Sequence, residues 1–251
     1  MERKNRAVIL RVIDYSEADR LVTLFTEDFG KIRGVAKNAK KSQRRFGGGL
    51  EHGSIGSVRY VEKPGTELVR LEEMLIEVPA WKAATSLAKI FALYISLELA
   101  DKMLPLAHAS RERFGLLERW ISFLASTSPL PVHRHAFYYK WLAASGLAPV
   151  FDRCVVCFGP PSPAENDPYF IESAHGGIVC KKCHSKGRNF VEIGGKLLHY
   201  LHELKFGRLP GGTSFDAVPT GRQADEVFEY LIMHAIGGEI KSLNIARRMG
   251  E

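Results

Sequence analysis

The sequence predicts a multidomain α+β protein: a small five-stranded β-barrel over residues 1–79, then an α-helical domain over residues 80–251 carrying a four-cysteine zinc finger inserted at about 150–190. Three observations carry this. The first 80 residues hold short runs rich in β-branched and aromatic residues, divided by polar turns. After Pro79 the apolar spacing changes to that of helices. Two C-x2-C pairs, Cys154 with Cys157 and Cys180 with Cys183, then interrupt the helical pattern. With 251 residues, 45% of them hydrophobic, the chain can bury an ordinary core in two modest domains.

The runs "AVILRVID" (7–14) and "DRLVTLFT" (19–26) flank the short polar turn "YSEA" and read as a hairpin. "GKIRGVA" follows the turn "EDFG" as a third strand, and "IGSVRYVEK" supplies a fourth. "TELVRLEEMLIEV" gives a fifth, which Pro79 stops. Five short strands in so few residues suit a small barrel, and a sandwich-like sheet is the alternative that a strand count leaves open. Beyond Pro79, "AWKAATSLAKIFALYISLELADKML" spaces Leu87, Ile90, Phe91, Tyr94 and Leu97 as on one helix. "SRERFGLLERWISFLAS" does the same with Phe114, Leu117, Ile121 and Leu124, and "VHRHAFYYKWLAASG" ends at Gly146. Further helices are expected at "GKLLHYLHELKFG" and "RQADEVFEYLIMHAIGG", each with glycine where a helix terminus favours it.

A two-residue gap lets two thiolates face one point from a tight knuckle, and two such knuckles complete the tetrahedron that zinc prefers. Cys154, Cys157, Cys180 and Cys183 are therefore candidate ligands of a structural Zn2+, with "GPPSPAENDPYFIESAHGGIV" as a loop and hairpin between the knuckles. Four thiolates leave no open position for catalysis. The alternative is a redox dithiol, which would require a βαβ setting that the surroundings lack. His175 and His184 lie near enough to substitute as ligands but read as surface residues beside four cysteines.

The formal charge of +7 and pI of about 9.2 favour a polyanionic partner, nucleic acid first and an acidic membrane surface second. That charge is uneven. Lys31, Arg33, Lys37, Lys40, Lys41, Arg44 and Arg45 fall in "GKIRGVAKNAKKSQRRFGGG" without an acid among them. A glycine-ended basic loop can follow a phosphate backbone, each neutralised phosphate adding a salt-dependent increment of affinity; a solvated loop with no ligand is the alternative. Phe46 lies inside the loop as a candidate stacking platform, with Phe29, Tyr60 and Phe25 behind it, Phe25 reading as core. Possible additional contacts are Lys181, Lys182, Lys186 and Arg188 around the second knuckle, and Lys241, Arg247 and Arg248 near the end of the sequence.

Catalytic signatures for nucleotide hydrolysis, dinucleotide binding, metalloproteolysis or serine hydrolysis are absent from the sequence, so no enzymatic role is expected. Asp14, Glu17 and Asp19 resemble a carboxylate cluster, but on a hairpin turn beside Arg11 and Arg20 they read as turn-capping and salt-bridging groups. Arg11 and Asp14 break the apolar stretch of the amino terminus, and Glu98 interrupts "IFALYISLELA", well short of the roughly 20 residues of a membrane span. The expectation is a cytoplasmic protein with no membrane partner.

"AVILRVIDYSEADRLVTLFTEDFGKIRGVAKNAKKSQRRFGGGLEHGS", the paired "CVVC" and "CKKC", and the closing "IKSLNIARRM" together resemble the bacterial DNA repair and recombination mediator family RecO, over nearly the whole chain. The resemblance implies an amino-terminal OB-fold, a helical domain and a zinc finger within it. It further implies a non-enzymatic, nucleoid-associated protein that binds single- and double-stranded DNA and anneals complementary strands. With RecR, such a protein helps RecA replace single-strand DNA-binding protein, whose C-terminal tail docks on the helical domain. By the family's pattern, the basic run and Phe46 would be the main DNA contact, a surface that also faces RecR. An OB-fold RNA-binding protein with a structural zinc shares the barrel and the charge and remains the alternative, ahead of a redox enzyme. A passive scaffold that holds partners without touching nucleic acid is a third.

Overall fold

The computed structural model describes residues 1–47, 49–62, 64–162, 167–185, 189–205 and 221–249. The chain forms two compact units, residues 1–128 with 240–251, and residues 129–239. Strand gives way to helix at Pro79, as the residue pattern requires, and this change lies inside the first unit. Among the described residues no helix is long and apolar enough to cross a membrane.

In the first unit β1 (Glu2–Asp14), β2 (Arg20–Thr26), β3 (Gly30–Ala36), β4 (Ile55–Val61) and β5 (Leu68–Val78) close in the order β1-β2-β3-β5-β4, the expected OB-fold arrangement. Closure depends on the length of β1. Its first half pairs with β4, from Glu2 opposite Val61 to Val8 opposite Ile55, and its second half with β2, from Ala7 opposite Thr26 to Asp14 opposite Arg20. The register shifts between Ile9 and Arg11, so Leu10 is the extra residue that bends the strand between its two neighbours. β3 and β5 make the parallel pair of the sheet.

Ala7, Ile9, Val22, Leu24, Val58 and Leu71 point into the barrel. Val8 and Leu10, on the opposite face of β1, are buried too, because a helix packs there. That two-sided burial explains why "AVIL" is continuously apolar and not alternating. A single helical turn, α1 (Gln43–Phe46), follows the basic loop.

The run from Ala80 is not one continuous helix. A 3-10 turn at Ala80–Ala83 precedes α2 (Leu87–Met103), because the Ser86 hydroxyl accepts the Lys89 amide and starts the helix there. Ser110 caps α3 (Arg111–Ser126) in the same way, through the Arg113 amide. Phe114 of α3 meets Phe25 edge-on at 5.5 Å, which confirms Phe25 as core.

The second unit contains α4 (Pro131–Ala144), β6 (Tyr169–Glu172), β7 (Gly177–Cys180), β8 (Val191–Ile193), α5 (Gly195–Glu203) and α6 (Gly221–Ile236). Its antiparallel sheet runs β7-β6-β8. Left-handed Gly146 and Gly237, at φ 76° and 62°, follow α4 and α6 where a Cβ would be strained; Gly207 lies outside the described residues. Buried His135 ties the helices together: Nδ1 is 2.6 Å from the Tyr200 hydroxyl and Nε2 is 2.9 Å from Asp225. The chain then returns to the first unit as α7 (Lys241–Arg248), which packs on α2.

Candidate nucleic-acid interface and metal centre

The loop between β3 and α1 is held to the β1–β2 turn by the acids of that turn. Asp19 accepts the Asn38 amide at 2.8 Å, Asp14 pairs with Lys40 at 3.1 Å, and the Lys40 amide bonds the Ala18 carbonyl. Asp14 also lies 3.9 Å from Arg20, and the Asp19 amide bonds the Ser16 hydroxyl. These carboxylates therefore shape the turn and fix the loop. Arg45 is half-buried and donates to the Lys37 carbonyl at 2.7 Å, closing the loop on itself. What remains is Arg33, Lys37, Lys41 and Arg44, all exposed and none in an ion pair among the described residues. Exposed cations gathered on β3, the loop after it and α1, without counter-ions, make a region of positive potential.

Two of the expected contacts lie inside the fold. Lys31 is 6% exposed, and its ammonium donates to the Asp101 carbonyl with the Asp101 carboxylate 3.4 Å away. The segment after α2 covers it, the Ala107 amide bonding the Lys31 carbonyl. Phe46 is 4% exposed and packs into the barrel core, so it offers no face for stacking. Tyr60 is fully buried, and Phe29 is half-buried with the Arg3 guanidinium 4.1 Å from its ring centre. None of the four aromatic candidates presents an open platform. Exposed rings lie elsewhere: in the first unit Tyr15 on the β1–β2 turn, with Trp81 and Tyr94, 62% and 41% exposed, in a run whose spacing read as an apolar helix face, and in the second unit Phe158.

Of the further basic groups, Lys181 and Lys182 are exposed in the turn between Cys180 and Cys183, in the second unit. Lys241, Arg247 and Arg248 are exposed on α7, in the first unit. Lys186, Arg188 and Gly48 lie outside the described residues, as do residues 163–166 of the proline-rich loop.

The four cysteine sulfurs converge: all lie within 4.8 Å of one another, and Cys157 Sγ is 3.9 Å from Cys180 Sγ. A tetrahedron with metal–sulfur bonds of about 2.3 Å has edges of about 3.8 Å, so the cluster fits one small soft cation. The first knuckle is stitched to β7, with the Val155 amide on the Ile178 carbonyl and the Ile178 amide on the Val150 carbonyl, at 2.9 and 3.0 Å. Gly177 permits that approach, because a Cβ there would stand 2.5 Å from the Val150 carbonyl oxygen. In the second knuckle the amides of Cys183 and His184 both bond the Cys180 carbonyl.

Burial opposes charge on Cys154, but amides of Cys157, Cys180 and Val156 outweigh it and bring the thiol down to about 6. Cys183, hydrogen-bonded by the thiols of Cys180 and Cys157, is raised to about 12. Four thiols this close cannot all ionise unaided, and a bound dication is the group that would let them.

His175 and His184 are not part of this sulfur cluster. They bond opposite oxygens of Glu172, a carboxylate 2% exposed, at 2.9 and 3.2 Å. His184 is no surface residue: its ring stacks on Phe170 at 3.8 Å and meets Phe190 at 4.5 Å. This packed layer beside the second knuckle has no spacing signature, and only the folded hairpin brings it together.

The family model described as "Recombination protein O N terminal" matches residues 1–78, and "Recombination protein O C terminal" matches residues 84–243. The chain is 34% identical to the DNA repair protein RecO of Myxococcus xanthus, over 100% of this chain and 99% of that one. It is 32% identical to the DNA repair protein RecO of Geobacter sulfurreducens, covering 97% and 96% of the two chains. For the protein of the same name from Anaeromyxobacter dehalogenans strain 2CP-C the identity is 29%, with 98% and 96% covered.

Proposed function

The chain belongs to the RecO family of DNA repair proteins, and from that premise we propose that its first unit grips the phosphate backbones of single- and double-stranded DNA through Arg33, Lys37, Lys41 and Arg44. The observation that carries the reading is the set of four exposed, unpaired cations held beside a closed OB-fold sheet. Lys40 and Arg45, already engaged with Asp14 and the Lys37 carbonyl, hold the loop in shape. Lys31 and Phe46 serve the fold.

Two complementary strands repel through their phosphates. A surface carrying these cations lowers that repulsion while leaving base edges free to pair, so annealing follows without a nucleotide cofactor. In this role the protein works with RecR, docks the acidic tail of single-strand DNA-binding protein on its helical part, and prepares gapped DNA for RecA. The resemblance to the family supports those partners. Cys154, Cys157, Cys180 and Cys183 hold a zinc ion whose contribution is structural, since four thiolates complete its coordination.

Salt dependence tests the reading. Each lost phosphate contact should reduce the slope of log affinity against log salt by about 0.7 on single strands. A variant with Arg33, Lys37, Lys41 and Arg44 all changed to Ala should therefore bind more weakly with a much flatter slope. It should also fail to anneal complementary strands coated with single-strand DNA-binding protein. An unchanged slope would mean that the loop is not the contact surface.

A further inference from the structure

We propose that a groove between the barrel and the start of α2 receives unpaired DNA bases, which stack on Trp81 and Tyr94; the inference rests on the DNA-binding reading above and assigns it a base subsite. The groove measures about 560 Å3 and is lined in part by Val12, Leu50, His52, Trp81, Leu93 and Tyr94, all in the first unit. That volume lies within the roughly 300–1,000 Å3 typical of pockets for aromatic small molecules.

Two rings face solvent there. Tyr94 is backed by the His52 ring, 5.6 Å away and tilted by 41°, so its orientation is supported. Trp81 has the Lys82 ammonium 5.8 Å from its ring centre, over one face, so a cation stands beside the ring on which a base would stack. His52 Nε2 accepts the Val12 amide at 3.2 Å, which leaves the proton on Nδ1.

The groove adjoins the basic loop at the β1–β2 turn, and that continuity points to nucleic acid as the occupant. Arg20 lines the groove and donates to the Leu50 carbonyl at 3.2 Å, and burial first, then the charges of Arg11 and Arg20, hold the His52 imidazole below its ordinary pKa. The acids of the lining are Asp14 and Glu51; Asp14 is already engaged by Lys40 at 3.1 Å and by Arg20 at 3.9 Å. Lys40 belongs to the basic loop and also donates to the Ser16 carbonyl, so the loop and the groove meet at the β1–β2 turn. A strand whose phosphates follow the loop can turn its bases into the groove. Duplex DNA cannot, because its bases are already stacked, so the groove supplies a preference for single strands that phosphate contacts alone do not.

The chain has three tryptophans; Trp120 and Trp141 are 2% and 0% exposed, so Trp81 alone meets solvent. Titrating the metal-loaded, full-length protein with an oligothymidylate should quench Trp81 emission, and a blunt duplex of equal length should not. Anisotropy of a labelled strand reads total binding in parallel. Trp81→Ala and Tyr94→Ala should each weaken single-strand binding about tenfold with duplex affinity and salt slope unchanged, while Trp81→Phe keeps a ring and most of the affinity. Normal single-strand affinity in Trp81→Ala, with unchanged wild-type emission on binding, would remove the groove and leave the phosphate reading intact. Equal losses on single strand and duplex would place the groove on the backbone path and overturn base stacking. No anisotropy change with either DNA would overturn both readings.

Discussion

Lys31 and Lys41 belong to one uninterrupted basic run, yet they have opposite roles. On β3, Ile32, Gly34 and Ala36 turn toward the interior while Lys31 and Arg33 turn outward, but the outward face is open only at Arg33. At Lys31 the segment following α2 lies over the strand, and the ammonium is spent on Asp101. Lys31→Ala should therefore cost about 1–3 kcal/mol of stability in urea unfolding, since it removes a buried side chain and leaves the part-buried Asp101 carbonyl without its donor. Lys41→Ala, at an exposed and unpaired position, should stay within about 0.5 kcal/mol of wild type and lower only the salt slope of DNA binding. The charge run was legible as a run. Which members reach solvent was not, because the covering segment lies some 70 positions away. Phe46 was hidden for the same reason: the ring turns back into the barrel, and nothing in its basic neighbours announces that.

Elements with a strong period were legible and short ones were not. The five strands follow from runs of β-branched and aromatic residues between turns, and β3 spans the very residues "GKIRGVA" that its pattern gives, whereas β1 begins at Glu2, five residues before the run that announces it. α7 was not, because it has eight residues and a single buried one, Ala246. It exists through tertiary support: Glu98 accepts the amides of Lys241 and Ser242, both at 2.9 Å, capping the helix from α2. In the sequence Glu98 registers only as a charge that breaks an apolar run. The contact between α4, α5 and α6 is equally hidden and has a pH consequence. Burial raises Asp225, but its bond and charge interaction with His135, aided by Arg134, outweigh this and hold its carboxyl below the ordinary range. A depressed carboxyl adds stability that is present above the unfolded value, roughly pH 4, and is lost as pH falls through the folded one. Wild type should thus lose more stability between pH 5 and the acid limit than Asp225→Asn, measured by urea unfolding at each pH.

At the scale of the whole molecule, the first unit takes its residues from both ends of the described chain, 1–128 and 240–249, and the second lies between them in sequence. The pair of C-x2-C knuckles was legible from spacing alone, because thiolate geometry imposes it. The sheet that carries the knuckles was only half legible, since β6 and β7 have four residues each and β8 three. Strands so short have little stability of their own, and the cysteines before β6 and at and just after the end of β7 make a metal the natural staple. Removing it separates structure from DNA contact. A strong chelator, or Cys157→Ser, should lower the melting temperature and loosen the second unit, seen as faster amide exchange at Val155 and Ile178. Single-strand binding and its salt slope should change little, because Arg33, Lys37, Lys41 and Arg44 belong to the first unit. Elemental analysis before chelation should find one zinc per chain. A metal-free protein with unchanged melting would defeat the structural-zinc reading. A chelated protein that stays folded but loses its salt slope would instead draw Lys181 and Lys182, on the second knuckle, into the DNA path.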